Sequence, residues 1–146
     1  MTEEKSDPCK EKYAADLSSI RDAHSRIRSI CSPRLYSKAA GRIITLPETY
    51  TIADGLRAFL GDLTWPVVRD FVDDIIVVDD SEIIEAMKLC YEILKLAVEP
   101  SGAIGLAAVL SESFRSNTTW NSCSNVAIIL SGGNLDLGAL WNSYMK

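Results

Sequence analysis

A chain of 146 residues, with 47% apolar and 24% charged side chains, is long enough for one domain with a core and has ordinary globular composition. Its net charge of −5 gives no electrostatic reason to bind nucleic acid or an anionic membrane, and no Lys/Arg cluster offsets it. Cys9, Cys31, Cys90 and Cys123 form no Cys-x-x-Cys pattern and His24 is the lone histidine, which argues against a tetrahedral zinc site. No leader-like apolar segment or membrane-length apolar run is visible, so a cytoplasmic protein with reduced thiols is expected.

Residues 1–9 are a polar tail, expected to fray. Tyr13, Leu17, Ile20, His24 and Ile27 recur at helical spacing and predict a helix over 10–30, with Asp16, Arg21, Asp22 and Arg26 on its wet side. Ser29 to Pro33 reads as a turn, because the residue before a proline is pushed out of the helical region. Residues 43–46 suggest a short strand, and 51–62, with Gly55 and Gly61, a loop with one helical turn. Thr64 is placed to cap a helix running to about Val72, with Pro66 tolerated in its first turn.

The β-branched run at 75–78 predicts a strand covered on both faces, as in a parallel sheet. Residues 81–98 carry the clearest helical pattern, with Ile83, Met87, Cys90, Leu94 and Ala97 in one stripe. Asp79, Asp80 and Glu82 sit at its N-terminal end, where the helix dipole favours negative charge. Pro100 is expected to stop it, and Ser101 to cap a second helix to about Phe114. Gly102, Ala103, Gly105, Ala107 and Ala108 give that second helix a small-residue surface for close packing. Residues 126–130 predict another buried strand, ending in Ser131-Gly132-Gly133-Asn134, with a last helix from near Asp136. Alternating strands and helices indicate an α/β layer.

The Ser-Gly-Gly-Asn turn is the most informative local feature. It lies where ligands bind in open α/β sheets, at the C-terminal edge of a strand and before a helix. Its glycines can bring main-chain amides close to a ligand, or can simply supply a turn that needs positive φ. Both readings stand on pattern alone. Asp73/Asp74 and Asp79/Asp80 could be a metal or acid/base pair, but strand ends and helix caps account for them better. Glu99-Pro100-Ser101-Gly102 reads as a helix stop and a cap. His24 sits on the apolar side of its helix and fits packing, while Glu85/Lys88, Glu92/Lys95 and Lys88/Glu92 read as surface helix pairs.

Residues 51–74 (Thr-Ile-Ala-Asp-Gly-Leu-Arg…Thr-Trp-Pro-Val-Val-Arg-Asp), 95–110 (Lys-Leu-Ala-Val-Glu-Pro-Ser-Gly-Ala-Ile-Gly) and 130–137 (Leu-Ser-Gly-Gly-Asn-Leu-Asp-Leu) together resemble the serine racemases. These are fold-type II pyridoxal-phosphate enzymes related to threonine dehydratase, and the wording is nearest the plant members. The resemblance is continuous over 37–146, and residues 11–27 resemble the family's opening helix. It implies four parts: a tail at 1–9, the family N-terminal helix at 10–30, a junction at 31–36, and the C-terminal part of the cofactor-binding large domain at 37–146. The fold class implied is α/β, a partial tryptophan-synthase-β-like large domain, with the small domain and the catalytic middle absent.

The resemblance also implies a chemistry: racemisation of serine, and β-elimination from serine or threonine, on pyridoxal phosphate. Ser131 would meet the pyridine nitrogen; a neutral hydroxyl cannot hold it protonated, which suits racemisation and elimination over transamination. Gly55 would offer main chain near the ring and Glu99 would line the pocket. Lys95 and Asn134 match positions near a nucleotide site at the family's dimer interface. No catalytic residue is retained. None of the seven lysines of the sequence stands in the family's Ser-x-Lys-x-Arg-Gly-Ala context, the Gly-rich phosphate loop is missing, and the acidic ligands of the family's Mg site have no counterpart. Whether the chain is an enzyme is therefore open, with pyridoxal phosphate expected to bind weakly or not at all. Two rival readings are a non-catalytic isoform that pairs with an intact subunit, as a homo- or hetero-dimer, and an unrelated α/β ligand-binding module.

Overall fold

The computed structural model describes residues 33–45, 50–118 and 123–136, together with 138 and 142. The helix expected over 10–30 lies outside these residues, as does nearly all of the one expected after Asp136.

Helix α1, Pro33–Ala40, occupies most of the stretch read as a junction. Proline at the first helical position carries no wasted N–H, and the buried Ser37 hydroxyl ties the helix to the following chain. It donates to the Pro33 carbonyl (2.7 Å) and accepts from the Ile44 amide (2.8 Å). Gly41, at φ +65°, then turns the chain out of the helix.

After a 3₁₀ turn at Asp54–Leu56 comes α2, Trp65–Phe71, with Thr64 at the capping position as predicted. The Thr64 side chain does not cap, however. Its hydroxyl turns back to Gly61, accepting from the amide (3.2 Å) and donating to the carbonyl (3.1 Å).

Helix α3 is Asp80–Leu89, capped by Asp79 in a reciprocal capping box with Glu82. Asp79 Oδ1 accepts from the Glu82 amide at 2.8 Å, and Glu82 Oε2 accepts from the Asp79 amide at 2.8 Å. The helix does not reach 98. It widens into a π-helical turn at Cys90–Leu94 and ends on Lys95, at φ 57° and ψ 34°. Only the first part of the expected stripe is in the core: Ile83, Met87 and Cys90 are buried, whereas Leu94 is 49% exposed and Ala97 is outside the helix. The left-handed Lys95 ends it, and Pro100 further on holds only Glu99 extended (ψ 162°).

Pro100 is thus not the stop. It is the first residue of α4, Pro100–Leu110, with Glu99 rather than Ser101 at the capping position. Ser111 breaks the expected helix to Phe114, and its hydroxyl accepts from the Phe114 amide (3.2 Å) to start α5, Glu112–Arg115. Helices α3 and α4 pack on each other around Ile83, Met87, Cys90, Val98, Ala103 and Ala107. Full burial of a side chain such as Ile83 or Met87 contributes roughly 1.5–3 kcal/mol.

None of the stretches 43–45, 75–78 and 126–130, expected within strands, is a paired strand among the described residues. A strand exists only where a neighbouring chain accepts and donates its main-chain hydrogen bonds, and no ladder of such bonds is formed by these stretches among the described residues. The small-residue surface of α4 does what its composition suggested. Residues 128–131 lie directly on it: a Cβ on Gly105 would stand 2.9 Å from Ile128 Cγ2, and one on Gly102 would run into the Ser131 carbonyl. No helix among the described residues is long and apolar enough to cross a membrane.

Candidate functional site

Three loops converge at the N-terminal end of α4. The first, 51–57, is pinned to α3 by Asp80, whose Oδ1 accepts from the Thr51 hydroxyl (2.8 Å) and the Ile52 amide (3.3 Å). Thr51 Oγ1 accepts in turn from Ala53 N at 3.0 Å, and the Arg57 guanidinium grips the Thr51 carbonyl at 2.6 Å. This places Gly55 on Ser101: the Gly55 amide donates to Ser101 Oγ (3.0 Å) and to Asp54 Oδ1 (2.7 Å).

The second loop, 95–99, runs beside the third, 131–133. The Glu99 amide donates to the Gly132 carbonyl at 3.1 Å. Gly132 has φ +75°, and the Glu99 carboxylate fills the space where a side chain at 132 would stand. Gly102, one turn into α4, receives the Ser131 carbonyl where its own Cβ would be. Gly55, Glu99 and Ser131, the three residues expected at a cofactor, are therefore linked through Ser101, Gly102 and Gly132. Glycine at 102 permits the close approach and glycine at 132 the left-handed backbone.

Sequence reasoning missed Ser101 as a contact of Gly55, and Asp54, whose Oδ1 lies 3.4 Å from Ser101 Oγ. Neither carries a local signal, because they are brought together over 47 positions of chain. Lys95 and Asn134 are both exposed. The Lys95 ammonium donates to the Glu92 carbonyl (2.7 Å), and among the described contacts none joins it to Asn134.

The paired aspartates have structural work. Asp79 caps α3, and hydrogen bonds from the Ser81 hydroxyl and then from the Glu82 amide hold its carboxyl below the usual range. Asp80 holds Thr51. Asp74 Oδ1 accepts from the Ile75 amide (2.8 Å) and its Oδ2 lies 3.4 Å from Asn117 Nδ2. Of the helix pairs, Lys88 meets Glu85, whereas Lys95 goes to the Glu92 main chain rather than its carboxylate.

The described residues do not fit a covalently held cofactor. A Schiff base needs an amine aimed into the site, but Lys38 reaches the Arg69 carbonyl, Lys88 pairs with Glu85 and Lys95 caps the π-helical turn. The Gly55 amide is already committed to side chains and cannot serve a phosphate as it stands. What remains is one edge: the exposed Ser131 beside main chain and the Glu99 carboxylate.

Residues 25–132 match the family model described as "Pyridoxal-phosphate dependent enzyme". The chain belongs to that family. It is similar to serine racemase of Oryza sativa subsp. indica, 72% identical over 110 residues, which are 75% of this chain and 32% of the relative. Among solved structures it is similar to maize serine racemase (70% identity, TM-score 0.73, covering 77% of this chain and 34% of the other). The T.th. threonine deaminase is a further match (38% identity, TM-score 0.65, covering 73% and 38%). The fold class is thus that of the α/β fold-type II enzymes, of which the chain spans about a third of the length of the relatives it matches. An unrelated ligand-binding module is ruled out by the family match.

Proposed function

We propose that this chain is a partial member of the serine racemase and serine/threonine dehydratase family, cytoplasmic, that does not turn over serine or threonine by itself. In this reading residues 10–30 are the family's N-terminal helix, 31–36 a junction and 37–146 the C-terminal part of the large domain. Ser131, Gly55 and Glu99 form one wall of a pyridoxal-phosphate pocket, and Lys95 and Asn134 border a nucleotide position. The observation that carries the reading is the convergence of Gly55, Glu99 and Ser131 at the head of α4 with no lysine of the described residues aimed at them. Among the described residues no amine nucleophile is aimed at this wall to make a covalent attachment, and no lysine is placed there to take the α-proton.

The test is direct. The purified chain with added pyridoxal phosphate should form no product from L-serine above a cofactor-only control. Borohydride reduction followed by peptide mass analysis should find no lysine labelled stoichiometrically. Turnover, or one fully labelled lysine, overturns the reading.

A second reading is supported by the exposure of Ile129 (84%) and Val126 (51%) on an unpaired segment. Here the chain is a non-catalytic partner of an intact subunit, whose surface covers these side chains. Co-purification with a full-length family member separates it from a chain that acts alone.

A further inference from the structure

The stretch 126–130 is accessible main chain with nothing bonded to it. Among the described residues, the amides and carbonyls of Val126 to Ser131 take part in no hydrogen bond. Val126, Ala127 and Ile129 are exposed, and Ile128 and Leu130 are half-buried. Such a row of open donors and acceptors is a template for another extended chain. Natural strand edges are commonly guarded by charge or proline, yet residues 123–135 carry neither.

Only one edge of the stretch is free. The carbonyl oxygens of Ile129 and Ser131 both face α4, the first beside Gly105 and the second where a Gly102 side chain would stand. Successive residues of an extended chain turn their main-chain groups to opposite edges. The groups of Val126, Ile128 and Leu130 therefore point away from α4.

We propose that this edge pairs with the same edge of a second copy of the chain, antiparallel and centred on Ile128. Val126 then faces Leu130 of the second copy and Ile128 faces Ile128, each facing pair exchanging both N–H···O bonds. The arrangement is a closed two-fold dimer: α4 of each copy stays on the outer side and occupies the remaining edge. The other unpaired run, 75–78, does not suit self-pairing. The same antiparallel register there would set Asp74 against Asp79 and Asp73 against Asp80, like charges directly opposed, and Val78 is buried. The inference goes beyond the family reading, since it concerns how this chain meets its own copy rather than an intact subunit.

Sedimentation of the full chain should show a monomer–dimer equilibrium. The amides of 126, 128 and 130 should gain protection from hydrogen exchange as protein concentration rises. The register also sets Ala127 against Ile129 of the second copy, and both side chains are exposed. Ala127→Lys with Ile129→Lys opposes two pairs of ammonium groups and should raise the dimer Kd about tenfold or more. Ala127→Lys with Ile129→Glu sets lysine against glutamate instead and should stay within about threefold of the unmodified chain. If the lysine pair prevents folding, the concentration dependence of exchange in the unmodified chain still decides. A chain that is monomeric at every concentration, one that pairs only with an intact family member, or a dimer that responds alike to both double substitutions would overturn the proposal.

Discussion

The carboxylate of Glu99 stands against the Cα of Gly132, in the space that any side chain at 132 would need. Gly132 is also at φ +75°, where an L-residue is strained, so two separate effects oppose a side chain there. Gly132→Ala should destabilise the protein by about 1–3 kcal/mol, mostly from backbone strain, because the Glu99 side chain can swing aside. Urea unfolding of Gly132→Ala and of the Glu99→Ala/Gly132→Ala pair separates the two. Removing the carboxylate should restore only the smaller, steric part.

Gly102 makes the opposite demand on its neighbour. A Cβ there would lie 1.5 Å from the Ser131 carbonyl oxygen and 2.6 Å from its carbon, and main chain cannot swing aside. Were Gly102 merely a helical glycine, alanine would stabilise by about 1 kcal/mol. Overpacking wins here, so Gly102→Ala should cost about 3 kcal/mol or more and loosen residues 129–132. Gly105→Ala meets the Ile128 methyl at 2.9 Å and the Ile129 carbonyl oxygen at 3.4 Å and should cost less than Gly102→Ala. A denaturant midpoint for each variant checks the order.

The capping box at Asp79 should show in the pH dependence of stability. Asp79→Ala should cost about 1 kcal/mol near neutral pH. The folded-state pKa of Asp79 is lowered, first by the Ser81 hydroxyl and then by the Glu82 amide. Its contribution is therefore complete above the unfolded carboxylate range, and is lost as pH falls through the folded value. The gap between wild-type and Asp79→Ala urea midpoints should stay constant from about pH 7 to 5 and narrow below about pH 4. A gap that persists unchanged in acid would show that the ionised carboxylate is not what caps α3.

The two described cysteines should react differently. Cys90 is fully buried, and burial raises its thiol pKa, while Cys123 is exposed. The thiolate is the reactive form, so Cys123 should be alkylated by iodoacetamide in the native protein and Cys90 only on unfolding. Peptide mass analysis with and without denaturant reads both sites. Fast native labelling of Cys90 would mean that α3 and its π-helical turn open readily.

The family was legible in its motifs. The Ser-Gly-Gly-Asn turn, Gly55 and Glu99 stand in motifs whose combination marks the family, and the family match over residues 25–132 agrees. The start of α3 was equally legible, because acidic residues at a helix N-terminus and an i, i+3, i+4 stripe act within one or two turns of chain. The end of α3 was not. The stripe runs on through Leu94 and Ala97, yet the helix stops at the left-handed Lys95, and the chain that follows runs extended to Glu99, whose amide hydrogen-bonds Gly132. Ser101 looked like a cap and instead receives the Gly55 amide, 46 positions away. The apolar runs at 75–78 and 126–130 have strand composition, but pairing requires a neighbour that composition does not supply. Local chemistry thus determined helix starts, turns and the family motifs. Only the tertiary structure decided where helices end, that the apolar runs stay unpaired among the described residues, and which side chains meet at the head of α4, because each depends on contacts between distant parts of the chain.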